Sequence, residues 1–138
     1  MKNGNFDVIK ARYDAVNSHD LDRFESFYAD GVEWRDPATD GSVKGPSAVR
    51  KRLESWIEAV PNLEWRLEEL FGDGDKICAR FTFTGEHRGA LADRRGNELA
   101  ATNGAIEIEG VGVYTVEDGR IVDSRIYFDL AEFGPTRD

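Results

Sequence analysis

The spacing of apolar residues changes once along this chain, and that change limits the fold more than any other feature. Over most of the first 60 residues the apolar positions recur every three or four residues, as they do on one face of an α-helix. Beyond residue 62 they alternate with polar positions, as in a β-strand. Helices followed by a run of strands favour an α+β fold. The sequence therefore predicts a curved antiparallel sheet wrapped around N-terminal helices.

The first predicted helix shows the helical spacing most clearly. Its apolar stripe consists of Phe6, Ile9, Tyr13 and Val16. The pattern leaves Lys10, Arg12 and Asp14 on the opposite, solvent-facing side. A buried phenol normally needs a partner for its hydroxyl. Tyr13 therefore either donates a hydrogen bond to a ligand carbonyl or packs in the core with an incidental hydrogen bond.

Two further helices are predicted before residue 62. Asp20 can cap the second helix, which is expected to end at Asp30-Gly31. The third begins at Gly45-Pro46, with the proline in its first turn, and carries Trp56 on its apolar stripe. The basic cluster Arg50, Lys51 and Arg52 on this helix is interpreted as a solvated face.

A short segment between the second and third helices has the period of a strand. Val32, Trp34 and Asp36 point to one side of it, so Asp36 takes the buried direction of its apolar neighbours. Burial disfavours the charged form of a carboxylate, which makes Asp36 a candidate general base. The alternative is that Asp36 caps the turn that begins at Pro37.

The last predicted strand, residues 120–130, has two unlike faces. Val122, Ile126 and Phe128 form an apolar face, whereas Tyr127 and Asp129 lie on a polar one. If the polar face is concave, Tyr127 and Asp129 line a cavity, and the apolar face meets a second subunit in a homodimer. Otherwise the polar face looks at solvent.

Composition excludes several classes of partner. Acidic residues outnumber basic ones by 27 to 18, which gives a formal charge of -9. Such a charge repels phosphate backbones and anionic lipid headgroups, so we expect neither nucleic acid nor membrane partners. The lone Cys78 cannot form an internal disulfide, and no Cys/His cluster has the spacing of a metal site. We expect a cytoplasmic protein whose residues 1–138 form one domain.

Three stretches of the chain resemble known families. Y-D-A-V-N-S-H-D-L-D, from Tyr13, with F-Y-A-D-G-V-E-W-R-D-P and G-P-S-A-V-R, resembles the first half of ketosteroid isomerases. G-E-H-R-G-A-L, which contains His87, looks like the G-x-H-x-G-x-L of SnoaL-like polyketide cyclases. The ending E-D-G-R-I-V-D-S-R-I-Y-F-D-L is similar to these cyclases and to limonene epoxide hydrolases. The chain thus resembles the SnoaL-like, nuclear transport factor 2-like superfamily, which implies a cystatin-like cone fold.

The resemblance also implies roles for single residues. Tyr13 matches the isomerase tyrosine that donates to the substrate oxyanion, and Asp36 matches the general base. Gly112 stands where the isomerases have a protonated aspartic acid as second donor. Asp129 is the nearest counterpart of the acid/base aspartate of the cyclases.

The epoxide hydrolases match in part. Arg80 and Asp129 match their arginine and one of their two aspartates, whereas Thr82 replaces the second aspartate. Trp34 and Asp36 replace the tyrosine and asparagine that position water. Arg80 lies in the middle of a predicted strand, where a buried guanidinium would need a carboxylate from Asp36 or Asp129.

These matches imply a cofactor-independent acid/base enzyme, such as an isomerase or cyclase, that acts on a small hydrophobic carbonyl compound. Its catalytic residues would be Asp36, Asp129 and Tyr13. The expected binding residues are Trp34, Trp56, Arg80, His87, Tyr114 and Tyr127. Two alternatives remain open: a non-catalytic module of the same fold that binds a hydrophobic ligand or a protein, and an epoxide-hydrolase-like enzyme.

Overall fold

A computed structural model describes residues 4–36, 41–89, 91–92, 98–99 and 104–128. The helices are α1 (Gly4–Asn17), α2 (Leu21–Ser26) and α3 (Pro46–Ala59). The strands are β1 (Tyr28–Asp36), β2 (Gly41–Lys44), β3 (Glu64–Asp73), β4 (Lys76–Glu86), β5 (Leu91–Ala92), β6 (Glu98–Leu99), β7 (Ala105–Glu117) and β8 (Arg120–Phe128). No helix in these ranges is long and apolar enough to cross a membrane.

Six strands form one curved, open sheet in the order β2-β1-β8-β7-β4-β3. Neighbouring strands are antiparallel except β1 and β8, which run parallel. β5 and β6 form a separate two-stranded ladder. The α+β fold with helices against a curved sheet is confirmed, and the one parallel pair is a feature that the alternation of residues could not reveal.

Helix α1 is fixed to the sheet at its edge strand, β3. The amide of Asn17 donates to the Trp65 carbonyl at 3.2 Å and accepts from the Trp65 N–H at 2.6 Å. The Asn17 side chain thus bonds to the backbone of Trp65 as a neighbouring strand would. β3 is an edge strand, and unpaired backbone groups on an edge can pair with another chain. This contact holds the buried stripe of α1 against the concave side of the sheet.

The second helix is shorter than its sequence pattern predicts. Asp20 caps α2 by accepting a hydrogen bond from the Arg23 N–H at 3.1 Å, as expected. The helix ends at Ser26 rather than at Asp30-Gly31, because the Phe27 carbonyl accepts from the N–H of Ile121 at the start of β8. Asp30-Gly31 instead falls where the register of β1 against β8 shifts, inside a strand.

A register shift in β3 reverses the direction of its later side chains. The shift lies between Leu67 and Glu69. As a result Leu70 packs against the core. Phe71, which uninterrupted alternation from Trp65 would turn inward, has a side chain that is 52% exposed. A β-bulge inserts one residue and so exchanges the two faces of a strand beyond it.

The polar face of β8 points outward. Ile126 is buried, and the ring of Phe128 packs on Trp56 with centroids 5.3 Å apart, whereas Tyr127 is 40% exposed. The apolar face is therefore occupied by the core, and the expectation that it meets a second subunit is wrong. Tyr127 does not line an interior cavity. Asp129 lies outside the described residues.

Candidate functional site

An apolar hollow lies between α3 and the concave side of the sheet. Its lining residues are Trp56, Trp65, Phe81, Phe83, Ile108 and Phe128. The hollow and its mouth span about 230 Å³ between the atoms, of which about 10 Å³ admits the centre of a water molecule. That is the room that one water needs. Binding a larger molecule therefore requires the aromatic walls to separate.

Two tyrosine hydroxyls meet beside the inner wall of this hollow. The hydroxyl oxygens of Tyr13 and Tyr114 lie 2.8 Å apart in a buried hydrogen bond. The ring of Tyr13 packs edge-on against Trp65, at 6.2 Å between centroids, and against Phe81 at 6.4 Å. The two hydroxyls carry two protons but their mutual bond uses one, so one O–H is left to donate to a further acceptor.

Gly112 makes room for the hydroxyl of Tyr114. A Cβ added at Gly112 would lie 2.5 Å from that oxygen and 2.7 Å from two ring carbons, closer than any side chain could tolerate. Residues two apart share one face of a strand. The phenol of Tyr114 therefore fills the space above Gly112 that a side chain at that position would occupy.

Arg12 is buried, contrary to its predicted place on the solvent side of α1. It is 0% exposed, and its guanidinium carbon lies 4.5 to 5.5 Å from the ring centroids of five aromatic residues. These residues are Tyr13, Phe24, Trp34, Trp65 and Tyr114. The sequence did carry a signal, because Arg12 follows Ile9 by three residues and precedes Val16 by four, which places it on the apolar stripe.

The guanidinium of Arg12 is only partly satisfied. Its Nε donates to the Tyr28 hydroxyl at 3.0 Å, but neither Nη has a hydrogen-bond partner and no carboxylate pairs with it in the described part of the chain. Desolvated cation–π contacts stabilise such a group by about 2 kcal/mol or more. Burying an ion costs several kcal/mol. The ring faces attract the cation but offer no lone pair to its N–H groups, so both Nη atoms remain without acceptors among the described residues.

Burial sets the ionisation of the surrounding groups. It raises the pKa of Tyr13 to about 12, although the charge of Arg12 and the hydrogen bond to Tyr114 oppose the rise. Burial likewise raises the pKa of Tyr28 and of Tyr114. Burial alone would lower the pKa of Arg12, but the neighbouring tyrosines outweigh it and that pKa is raised. At neutral pH the cluster holds one cation and protonated phenols.

Asp36 is buried as predicted, but both of its oxygens are engaged. Arg52 donates to it through Nε and Nη2, both at 2.8 Å, and Trp34 donates through Nε1 at 2.9 Å. The side chain of Arg52 is 16% exposed, so its place in a solvated face is a wrong interpretation. Paired charges explain why a carboxylate can be buried here. Asp36 is therefore not a free base. Its alternative role as a cap of the turn at Pro37 involves residues 37–40, which lie outside the described residues.

The other predicted site residues divide between the interior and the outer face. Trp34, Trp56, His87 and Tyr114 are buried, and Trp56 lines the hollow. Arg80 is on the outer face, where its Nε donates to Glu69 at 3.2 Å and its side chain is 45% exposed. The expectation that Arg80 pairs with Asp36 is wrong, since strand parity turns it away from the core. The match to the epoxide hydrolases therefore has no interior arginine at this position.

Among the described residues, no three His, Cys, Asp or Glu side chains come together as metal ligands would. The chemistry available in this part of the chain rests on phenols, guanidinium groups and one paired carboxylate. Sequence reasoning missed Arg12 and Arg52, and it named Tyr114 without its hydrogen bond to Tyr13.

Comparison with known proteins gives a consistent result. A family model described as SnoaL-like polyketide cyclase matches residues 7–135. No protein with a curated description matches this sequence.

Solved structures share the fold at low sequence identity. A candidate SnoaL-like polyketide cyclase from a Jannaschia species is similar with a TM-score of 0.81 and 17% identity, over 96% of this chain and 93% of that one. IdmH, a candidate polyketide cyclase from Streptomyces antibioticus, is similar with a TM-score of 0.79 and 20% identity, over 95% and 96%. A hypothetical protein with a ketosteroid isomerase-like fold from Catenulispora acidiphila, in complex with trimethylamine, gives 0.77 and 12%, over 91% and 88%. These similarities establish the fold.

Replacing Arg52 by glutamine tests whether its pair with Asp36 stabilises the protein. Arg52→Gln leaves a buried carboxylate without its countercharge, so we expect the free energy of unfolding in urea to fall by about 2–4 kcal/mol. Arg50→Gln is the matched control on the same helix, because Arg50 pairs with the surface acids Asp22 and Glu25 and should matter far less. Equal losses in the two variants would contradict a special role for the buried pair.

The raised pKa of Tyr13 predicts a loss of stability at high pH. The folded protein holds this phenolic proton up to about pH 12, whereas the unfolded chain releases it near the ordinary value of 10.0. The contribution of Tyr13 is therefore complete below pH 10 and disappears as the pH rises from about 10 to about 12. Urea unfolding between pH 9 and 12 should show a shallower decline in Tyr13→Phe than in wild type. The exposed Tyr127→Phe is the control and should follow the wild-type curve.

Proposed function

The chain belongs to the SnoaL-like polyketide cyclase family, and from this premise we propose that it binds one small hydrophobic carbonyl compound and acts on it by acid/base catalysis without a cofactor. One observation carries the proposal. The hydroxyls of Tyr13 and Tyr114 form a buried hydrogen bond, and the ring of Tyr13 packs against Trp65 and Phe81, two walls of the apolar hollow. Hydrogen-bond donors fixed in a dry site are what an oxyanion requires.

The oxygen of the ligand would accept the hydrogen bond that this tyrosine pair has left over. In the isomerases a second donor comes from an aspartic acid at the position of Gly112. Here the hydroxyl of Tyr114 reaches over Gly112 and is within hydrogen-bond distance of Tyr13. We propose that one of the two hydroxyls donates to the ligand oxygen while the other donates to that hydroxyl, since their mutual bond uses one of the two protons. Both phenols remain protonated at neutral pH because burial raises the pKa of each.

The base in this proposal is Asp129. It directly follows Phe128, a residue that lines the hollow. Because Tyr127 lies on the outward face of β8, simple alternation would turn Asp129 outward as well, so the proposal requires the chain to depart from strand alternation after Phe128. Asp129 would take a proton from the carbon next to the carbonyl, and the electron pair of that C–H bond would move into an enolate whose oxygen is held by Tyr13 and Tyr114. Return of the proton to another carbon completes an isomerisation, whereas attack of the enolate carbon on a second carbonyl closes a ring. Asp36 could serve only after Arg52 releases it.

A non-catalytic binding module is the second candidate. The pairing of Asp36 with Arg52 and Trp34 favours it, because a carboxylate that accepts three hydrogen bonds is not poised to take a proton. In that case the hollow would hold a hydrophobic ligand without converting it. Access of Asp129 to the ligand would distinguish the enzyme from the binding module.

The protein would work as a single cytoplasmic domain that forms a homodimer. The outer face of the sheet supports this assembly, because Phe71 is 52% and Tyr127 40% exposed there, the two large hydrophobic side chains exposed among the described residues. Cys78 pairs with Phe71 in register, and Val111 pairs with Tyr127, so the two side chains stand on one continuous surface. Exposed apolar surface of this kind often marks a protein interface.

Exchange of a carbon-bound proton tests the catalytic proposal. The bicyclic ketone 2-tetralone in D₂O should exchange its α-protons faster with the protein present, as followed by NMR. Asp129→Asn should slow this exchange about 10²- to 10⁴-fold, the usual contribution of a positioned base. Asp123→Asn is the matched control, because Asp123 lies on β8, six residues before Asp129 in the sequence, and pairs with Arg125. Binding of 2-tetralone without any acceleration would assign the protein to the non-catalytic class.

Light scattering tests the dimer. The wild-type protein should have twice the 15.5 kDa mass of one chain. Phe71→Glu should shift it toward the single-chain mass, because it places a charge in the apolar surface. Phe71→Tyr keeps an aromatic ring and should remain dimeric. A wild-type protein that stays at 15.5 kDa at high concentration has no such interface.

A further inference from the structure

The interior beside the hollow contains more hydrogen-bond donors than acceptors. Arg12 has two Nη atoms and Trp65 has its Nε1 buried without a hydrogen-bond partner in the described part of the chain. The hydroxyl of Ser124, in register with Tyr114, is also buried without a partner there, and one hydroxyl has fewer acceptor sites than these groups have N–H donors. The Tyr13–Tyr114 pair leaves one O–H proton over, and Tyr28 uses its oxygen to accept from Arg12. Native proteins rarely leave buried donors unpaired. A group that supplies acceptors is what this cluster lacks.

The same cluster also lacks a negative charge. Arg12 is completely buried, and no ion pair to it exists among the described residues, although the chain as a whole has a formal charge of -9. The buried carboxylate in the described interior, Asp36, is already paired with Arg52. Ring faces attract the cation but are weak acceptors for its N–H groups. A ligand that carries its own charge would satisfy both needs at once.

Trp65 connects this cluster to the hollow. Its indole lines the hollow, and the guanidinium carbon of Arg12 lies 4.9 Å from the centroid of the same ring. Tyr13 packs against both Trp65 and Arg12. A ligand whose rings separate the aromatic walls would therefore bring a terminal group toward the unpaired donors of Trp65 and Arg12.

We propose that the ligand is an amphiphilic anion, a cyclic or aromatic molecule whose carboxylate or enolate is bound by Arg12, Trp65 and the Tyr13–Tyr114 pair while its apolar rings fill the hollow. This inference rests on the proposed function, since it names the class of compound that the same hollow takes. A guanidinium binds planar, charged oxygen pairs better than neutral ones. The same donors would hold the enolate of a ketone substrate, so a stable carboxylate is a mimic of the reacting state.

A pair of probes with the same shape and different charge tests the proposal. The probes are 2-naphthoate and 2-naphthamide, titrated at pH 7 by isothermal calorimetry. Wild-type protein should bind 2-naphthoate at least tenfold more tightly than 2-naphthamide. In Arg12→Met, which keeps the length of the side chain and removes its charge, this preference should vanish while the affinity for 2-naphthamide stays within about twofold. Arg80→Met is the matched control, because it removes the charge of an arginine on the outer face, and it should retain the preference.

A second measurement needs no variant at position 12. The indole N–H signal of Trp65, assigned by comparison with Trp65→Phe, should move downfield when 2-naphthoate is added and much less with 2-naphthamide. This result would support the proposal even if Arg12→Met does not fold, as judged by near-ultraviolet circular dichroism.

The outcomes separate the two proposals. If 2-naphthamide binds as tightly as 2-naphthoate, or if the preference is the same in Arg12→Met as in Arg80→Met, the anion site at Arg12 is wrong and the hydrophobic hollow stands. If neither probe binds, the hollow does not take a bicyclic ligand, and this inference falls together with the proposed function.

Discussion

The burial of Arg12 is the constraint on which the rest of the interior depends. A guanidinium inside a core needs aromatic faces, an acceptor for its Nε and a countercharge. The described residues supply the first two, through five aromatic rings and the hydroxyl of Tyr28. The tyrosines could not be replaced by aliphatic residues without leaving the cation worse solvated. The tyrosines of the site are therefore arranged around the buried cation.

The sequence predicted the elements of the fold better than their ends. The change of period identified α1, α3 and the later strands, and strand parity correctly turned Asp36 inward with Val32 and Trp34. It could not reveal that α2 ends and β1 begins before Asp30-Gly31. That boundary depends on pairing with β8, more than 90 positions later in the chain. The pattern of residues near a boundary carries no information about a strand so far along the chain.

The site was predicted less well, and two arginines explain why. Arg12 and Arg52 occupy the same place in their helices, three residues after a buried apolar residue and four before another, Ile9 and Val16 in one case and Val49 and Trp56 in the other. Hydrophobic patterning assigns every charged residue to solvent, although the helical spacing placed both on the core stripe. An arginine at such a position has to find partners inside, and both do so among aromatic rings.

The two buried arginines have different surroundings. This difference limits the reactions that the interior could support. Around Arg52 donors and acceptors are balanced, because Asp36 accepts from Arg52 and Trp34. Around Arg12 the unpartnered groups among the described residues are the donors of Arg12 and Trp65 and a single hydroxyl, that of Ser124. In the proposed reaction, negative charge on a ligand oxygen would be stabilised near Arg12, and this would set the orientation of a carbonyl compound. The proton acceptor of that proposal is Asp129, which follows Phe128 in the sequence, because Asp36 is paired with Arg52.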